Sequence, residues 1–109
     1  MIERVVLIGG GAVAEALGRR LSEVGVLSAV WCRDSQRAAE LAANFGVECC
    51  TDLESITEGD LYVISVSDRA IDEVSRQLRV KRGALVVHTA GSRSIEELKC
   101  EGAVRGVFY

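Results

Sequence analysis

Small residues directly after an aliphatic run form the clearest chemical motif of the chain. Residues 5–8 are Val-Val-Leu-Ile, and Gly9, Gly11 and Ala14 follow with the spacing G-x-G-x-x-A. In this motif the first glycine allows a tight turn, the second lets backbone approach a pyrophosphate, and the third small residue lets a helix pack close to a strand. The helix N-terminus offers N–H groups and a positive dipole end to an anion. The motif predicts dinucleotide binding by Gly9, Gly10, Gly11, Ala12 and Val13.

Polar residues after the second predicted strand bear on which dinucleotide binds. The residue roughly 20 positions beyond the glycines contacts the adenosine ribose, where an Asp or Glu bonds the 2′-hydroxyl of NAD. Here the run is Arg33-Asp34-Ser35-Gln36-Arg37. Guanidinium groups bind phosphate through charge-assisted hydrogen bonds and a serine hydroxyl adds a donor, so Arg33, Ser35 and Arg37 favour NADP. Two alternatives stay open: Asp34 as the ribose acid, which would give NAD, and Ser35 as only the N-cap of the next helix.

Two further loops are expected at the same place, because open parallel sheets bind ligands beyond the carboxyl ends of their strands. Val66 and Ser67 follow the fourth predicted strand, and Thr89 follows the fifth. The functional interpretation is that these residues contact the nicotinamide side of a dinucleotide. The alternative is that the residues after the fourth strand only form a turn and cap the next helix, with Asp68 as its N-cap. His88 is a candidate general acid or base, although a solitary His with no identifiable carboxylate partner is more often bonded structurally.

The elements that must position these motifs follow from hydrophobic periodicity. Short β-favouring aliphatic runs alternate with segments whose apolar residues recur every three or four positions. The pattern predicts an α/β fold over residues 1–109, with a doubly wound, mainly parallel sheet of about six strands, the Rossmann NAD(P)-binding fold. In the first helix we expect Val13, Leu17, Leu21 and Val24 to face the sheet.

Composition excludes several classes of function. The chain of 109 residues has the length of one domain, and its formal net charge of -3 gives no basic excess for binding nucleic acid. No apolar run reaches the roughly 20 residues of a membrane span, and no signal-peptide pattern is present, which predicts a cytoplasmic protein. The cysteines lack metal or disulfide spacing, so we expect no metal site and reduced thiols on or near buried strands: Cys32, Cys49, Cys50 and Cys100. The chain ends on an apolar strand, which suggests the amino-terminal part of a longer protein.

The chain resembles the amino-terminal NADP-binding domain of pyrroline-5-carboxylate reductase-like proteins, a group often labelled coenzyme F420-dependent NADP oxidoreductase-like. Bacterial Rossmann-like proteins with a second domain of unknown function look most similar. The similarity covers essentially the whole chain and rests on Gly9-x-Gly11-x-x-Ala14, Arg33 with Ser35, Val66-Ser67-Asp68-x-Ala70-Ile71 and His88-Thr89-Ala90-Gly91-Ser92. It implies NADP on the carboxyl edge of the sheet and a following helical domain that supplies substrate contacts and a dimer interface. Ser67 departs from the proline that relatives often carry.

Three functions remain in competition. The leading hypothesis is the cofactor domain of an NADP-dependent oxidoreductase that exchanges a hydride with an unidentified small-molecule substrate, in a full-length homodimer. The second is a non-catalytic NADP-binding or redox-sensing module that controls a partner. The third is a scaffold whose glycine loop binds no nucleotide. Apart from the candidate His88, the sequence assigns no catalytic residue.

Overall fold

Strands and helices alternate along the chain. The computed structural model describes residues 2–56 and 58–89, and the backbone of residues 104–107. Within these residues the strands are β1 (Val5–Ile8), β2 (Leu27–Trp31), β3 (Glu48–Cys50), β4 (Leu61–Ile64), β5 (Leu85–His88) and β6 (Val104–Val107). The α-helices are α1 (Ala12–Glu23), α2 (Ser35–Phe45) and α3 (Ile71–Gln77), and 3-10 turns cover Leu53–Ser55 and Asp68–Ala70.

The strands form one sheet in which every pairing is parallel. Their order is β3-β2-β1-β4-β5-β6, so the chain moves outward from β1 in one direction and then, from β4, in the other. This is the strand order of the doubly wound dinucleotide-binding fold, and the predicted Rossmann fold is confirmed. The carboxyl ends of β1 and β4 lie side by side at the point where the direction reverses.

Each face of the sheet has its own hydrophobic core. Alternate residues of β1 serve the two faces, and all of them are at most 2% exposed, as a central parallel strand requires. One face packs against α1 and α2 and contains Val5, Leu7, Ala14, Leu27, Val30, Cys32, Ala38, Leu41 and Val63. The other packs against α3 and the 3-10 turn at Leu53–Ser55, and contains among others Val6, Ile8, Tyr62, Ile64, Ile71, Val74 and Val86.

Helix α1 uses only part of the predicted face, because Leu17 and Leu21 pack against the core as expected while Val13 and Val24 do not. Its buried residues are Ala14 and Gly18, with Leu17 and Leu21 packed beside them, whereas Val13 is 58% exposed and Val24 is 68% exposed. A Cβ on Gly18 would lie only 2.5 Å from the Phe45 ring, so small residues set how closely the helix approaches α2 and β1. The prediction for Val13 and Val24 was wrong because it counted apolar character, while this contact selects small size.

The structure also tests the predictions for Asp68, for the cysteines and for membrane-spanning segments. Asp68 begins a 3-10 turn, and α3 begins only at Ile71, with Ala70 as its N-cap, so the predicted capping role of Asp68 was wrong. Cys32 is buried, but Cys49 is exposed on the edge strand β3, contrary to expectation. None of the helices described is both long and apolar enough to cross a membrane. The resemblance motif residues Ala90, Gly91 and Ser92 lie outside the described residues, as does Cys100.

Candidate functional site

A crevice of about 780 Å³ lies at the carboxyl edge of the sheet, where the strand order reverses. It collects all but one of the residues that the sequence predicted to bind a cofactor: Gly9, Gly10, Gly11, Ala12, Val13, Arg33, Arg37, Val66, Ser67 and Thr89. Ser35 is the exception. Sequence reasoning missed lining residues that follow or end strands, namely Trp31, Cys32 and Ser65, and two from the segment after β4, namely Ala70 and Val74. For Trp31, Cys32 and Ser65, the position at the end of a strand was the available signal, whereas Ala70 and Val74 gave none.

The glycine loop is wedged between the ends of β2 and β4. Gly9 has φ 139°, and a Cβ built on it would lie 1.9 Å from the carbonyl oxygen of Ser65. Its N–H donates to the carbonyl of Trp31 at 2.8 Å, while the N–H of Ser65 donates to the carbonyl of Ile8 at 2.7 Å. Only glycine combines this backbone conformation with so close an approach. The tight turn predicted for Gly9 is confirmed.

Gly10 and Gly11 differ in what surrounds them. A Cβ on Gly10 would lie 2.9 Å from Cys32 Sγ and 3.0 Å from Arg37 Cγ, so packing within the protein requires a small residue there. A Cβ on Gly11 would meet nothing within 4 Å. Gly11 also has φ -82° and ψ -173°, an extended conformation that any residue adopts. The fold itself therefore does not require glycine at position 11, although Gly11 lines the crevice.

Helix α1 begins directly under this open space. Gly11 is its N-cap and provides no side chain for capping, and the carbonyl of Gly11 accepts from the N–H of Glu15 at 2.9 Å. The N–H groups of a helix's first turn have no acceptor inside the helix, and the helix dipole places partial positive charge there. Because Ala12 and Val13 also line the crevice, this part of the site presents N–H groups and partial positive charge, the features that favour an anion.

Arg33 lies in the part of the crevice just beyond β2, on the opposite side of the glycine loop from the end of β4. Its side chain is 67% exposed, and its Nη2 lies 3.4 Å from Oε2 of Glu73 on α3. Sequence reasoning missed Glu73, because nothing in its local pattern connects it with a residue 40 positions earlier. A guanidinium with this exposure can offer its remaining N–H groups to a phosphate.

Arg37 lies in the same crevice but is held by the protein. Its Nε donates to the carbonyl of Gly10 at 3.0 Å, and its guanidinium pairs with Glu15 at 3.6 Å and with Glu40 at 3.9 Å. The side chain is 33% exposed, half as much as that of Arg33. These contacts tie α2 to the glycine loop and to the first turn of α1. They give Arg37 a role in positioning the loop, a role that the sequence did not predict.

Asp34, and not Ser35, caps helix α2. The Asp34 carboxylate accepts from the N–H of Gln36 at 3.0 Å and from that of Arg37 at 3.3 Å. Ser35 is the first residue of the helix, exposed and outside the crevice, so its interpretation as the N-cap was wrong. Both bonds go to Oδ1 of the one carboxylate that sequence reasoning offered as a ribose acid, and Asp34 itself lines the crevice.

Hydroxyl groups line the crevice where β4 and β5 end. Thr89 Oγ1 donates to Ser65 Oγ at 3.1 Å, and the N–H of Thr89 donates to the carbonyl of Ile64 at 3.2 Å. Ser65 is 9% exposed, whereas Ser67 is exposed at the rim. Thr89 and Ser67 thus lie where the sequence placed them, and Ser65 adds a third hydroxyl to this end of the site.

The other groups with possible chemistry are buried away from the crevice or within its wall. His88 is fully buried in β5 and is not among the lining residues, so its role as an acid or base stays a prediction. Cys32 Sγ donates to the carbonyl of Gly9 at 3.2 Å, and burial raises the pKa of this thiol. Among the residues described, no group of three or more His, Cys, Asp or Glu side chains is arranged to hold a metal ion.

Comparison with known proteins gives this crevice a context. A family model described as NADP oxidoreductase, coenzyme F420-dependent, matches residues 4–92. A Bacteroides fragilis protein assigned as an NADP oxidoreductase is 35% identical, with a TM-score of 0.85 over 99% of this chain. An imine reductase variant from Myxococcus stipitatus, solved with NAD+, is 27% identical, with a TM-score of 0.68 over 89% of this chain. A search of the curated proteins finds no match.

Both of these structures are longer than the chain. The chain covers 43% of the Bacteroides fragilis protein and 34% of the imine reductase. A Mycobacterium tuberculosis 3-hydroxyisobutyrate dehydrogenase, at 14% identity and a TM-score of 0.75 over 96% of this chain, shares the fold, and the chain covers 39% of it. In each of these structures, the region that matches this chain is a Rossmann-type domain.

Proposed function

We propose, because the chain belongs to the family of NADP oxidoreductases described as coenzyme F420-dependent, that its crevice binds NADP(H) and presents the nicotinamide for hydride exchange with a small molecule. The chain has the Rossmann-type NAD(P)-binding domain of this oxidoreductase family. Our proposal concerns the preference for NADP, the residues that bind it and the reaction.

The open space at Gly11 is the observation that carries the proposal. Gly9 and Gly10 are required by contacts within the protein, but a side chain at position 11 would meet no protein atom within 4 Å. It would instead extend into the crevice at the positive end of α1. Gly11 lies at a helix N-terminus, and the fold does not need glycine there. This favours a ligand that must approach the backbone closely. A pyrophosphate is such a ligand.

Arg33 supports NADP over NAD. Its guanidinium is largely exposed at the end of β2, the strand whose end meets the adenosine ribose in this fold. Asp34 is the residue that would favour NAD, and its carboxylate already accepts two backbone N–H groups as the cap of α2. A largely exposed guanidinium, beside a carboxylate that already caps a helix through Oδ1, favours the phosphorylated dinucleotide. Ser35, exposed in the first turn of α2, would be a weaker contributor.

The hydroxyl-bearing end of the crevice is the proposed nicotinamide side. The dinucleotide supplies the hydride chemistry when bound, and the protein orients it. Val66, Ser67 and Thr89 would line that side, with Ser65 held in place by the hydrogen bond from Thr89. We extend the proposal to a longer, homodimeric protein of the pyrroline-5-carboxylate reductase-like kind, in which further residues contact the substrate. The greater lengths of the related structures support the longer protein, whereas its homodimeric state rests on the resemblance alone.

Calorimetric titration with NADPH and NADH tests the proposal, together with the variant Gly11→Val. The valine side chain would fill the space that the pyrophosphate needs, so we expect binding of both dinucleotides to fall at least about tenfold. Ala16→Val, at an exposed position of the same helix, is the matched control and should bind normally. Urea unfolding confirms that both variants fold. Normal binding by folded Gly11→Val, or no binding of either dinucleotide by the unaltered protein, would refute the assignment.

A further inference from the structure

Arg33 and Glu73 join two walls of the crevice that are far apart in sequence. Arg33 follows β2, whereas Glu73 lies on α3, which follows β4 on the other side of the switch point. Arg33 Nη2 and Glu73 Oε2 are 3.4 Å apart, and their side chains are 67% and 62% exposed. Val74, the next residue on α3, lines the crevice together with Arg33. The carboxylate of Glu73, which is not itself among the crevice-lining residues, therefore contacts the guanidinium beside the part of the crevice where the adenosine half would lie.

The same guanidinium is the proposed partner of the 2′-phosphate. A carboxylate and a phosphate both accept from the planar set of N–H donors of an arginine, so they compete for it. An ion pair between exposed side chains contributes little stability, and Glu73 can be displaced. Displacement still leaves a negative charge on α3 close to the incoming phosphate. Glu73 thus opposes binding of the phosphorylated ribose in two ways, by occupying Arg33 and by repelling the phosphate.

Glu73 has a different effect on the unphosphorylated ribose of NAD. The 2′-hydroxyl of NAD is a hydrogen-bond donor, and a carboxylate is the acceptor that dinucleotide-binding folds use for it. A carboxylate held beside Arg33 does not repel this hydroxyl. The pair therefore contains one group that favours each form of the cofactor, a cation for NADP and an anion for NAD.

We propose that Glu73 is a specificity-determining residue that reduces the preference for NADP(H) set by Arg33. This inference rests on the proposed function, because it needs Arg33 to contact the 2′-phosphate. The consequence is a chain whose discrimination between the two dinucleotides is smaller than Arg33 alone would produce. Removing the charge of Glu73 should enlarge that discrimination.

The variant Glu73→Gln tests the proposal by calorimetric titration with NADPH and with NADH. We expect NADPH to bind about two- to fivefold more tightly, the size that the loss of an exposed ion pair allows, with no gain for NADH. Glu58→Gln is the matched control, because Glu58 also forms an exposed ion pair, with Arg4 at 3.3 Å, but precedes β4 at the opposite edge of the sheet. It should change neither affinity, which excludes a general effect of net charge. Unchanged or weaker NADPH binding by Glu73→Gln would overturn the inference.

Two fragments and one further variant separate this inference from the function on which it rests. Adenosine 2′,5′-bisphosphate and adenosine 5′-monophosphate differ only in the 2′-phosphate and need no nicotinamide site. The inference expects Glu73→Gln to tighten the bisphosphate alone, and equal tightening of both fragments would overturn it. If Arg33→Gln weakens the bisphosphate while Glu73→Gln has no effect, only the role of Glu73 fails. If Arg33→Gln has no effect either, the proposed phosphate site fails and the role of Glu73 fails with it.

Discussion

The glycine loop and the part of the crevice beyond β2 are built in different ways. Backbone hydrogen bonds and the close approach of Gly9 to Ser65 and of Gly10 to Cys32 and Arg37 hold the glycine loop in place. At the end of β2, the group that faces the ligand is a largely exposed arginine in an ion pair with another exposed side chain. Buried contacts between backbones tolerate no displacement, whereas exposed ion pairs exchange partners readily. Under the proposed function, we therefore expect the glycine loop to determine whether a dinucleotide binds and Arg33 to determine which one binds.

The largest expected effect is on the stability of the fold, at the glycine loop. Gly9→Ala would place a Cβ 1.9 Å from the carbonyl oxygen of Ser65, at a residue with φ 139°. We expect the free energy of unfolding to fall by about 2–4 kcal/mol, because both strain and overpacking result. Urea unfolding measures the loss. Gly11→Ala is the comparison, with an expected loss of about 1 kcal/mol or less from weaker capping. Equal losses in the two variants would contradict the difference between the glycines.

The next largest effect is on the discrimination between NADPH and NADH, at Arg33 beyond β2. Arg33→Gln should weaken NADPH binding by about tenfold or more, the cost of one charge-assisted contact of about 1.5–3 kcal/mol, and should change NADH binding little. Titration with each dinucleotide measures the ratio of affinities. Arg20→Gln, in an exposed ion pair with Glu23 at 3.4 Å on α1, is the matched control. An unchanged ratio in Arg33→Gln would remove Arg33 from the site.

Arg37 should behave like the glycine loop although it is an arginine like Arg33. Its Nε donates to the carbonyl of Gly10, and Arg37→Met keeps the aliphatic stem while losing that hydrogen bond. We expect both dinucleotides to bind several-fold more weakly, by about 1 kcal/mol, with their affinity ratio unchanged, since the loop is less well positioned. The same titrations measure this ratio. A loss confined to NADPH would instead show that Arg37 contacts the 2′-phosphate, as the sequence suggested.

The smallest effect lies at the amino edge of the sheet and should leave the crevice unchanged. A hydrogen bond from Lys81, and others from the N–H groups of Glu3 and Arg4, hold the pKa of Asp60 well below its ordinary value. A lowered pKa adds stability above the ordinary value of about 3.9, and this stability is lost as the pH falls further. Asp60→Asn should therefore be less stable at pH 7.

The difference between Asp60→Asn and the unaltered protein should shrink as the pH drops below about 4, because the native carboxylate then begins to lose its contribution. Thermal unfolding at a series of pH values measures it. Dinucleotide affinity at pH 7 is the internal control and should match that of the unaltered protein. A stability difference that is constant with pH would show that the Asp60 carboxylate does not carry the effect.

The sequence predicted the fold and most of the crevice because both depend on local pattern. Aliphatic runs of β1 and β4 are long and apolar enough to identify central strands, and the small residues after β1 identify the loop. The errors arose where several local assignments were compatible with the same residues. Asp34 and Ser35 are both good capping residues, and only the backbone of α2 shows that Asp34 caps it. Val13 is apolar but lies at the helix end that faces the crevice.

The sequence by itself determined the alternation of strands and helices in a doubly wound α/β fold, the position of the glycine loop and the presence of basic residues beyond β2. These follow from periodicity, turn chemistry and residue type, which act over a few neighbouring positions. Only the tertiary structure decided that Arg33 faces Glu73 while Arg37 holds Gly10, and that Gly11 alone among the three loop glycines borders open space. These contacts join residues that are far apart in sequence and that meet because the strand order reverses between β1 and β4. Which residues meet depends on how whole helices and strands pack, and a local sequence pattern does not contain that information.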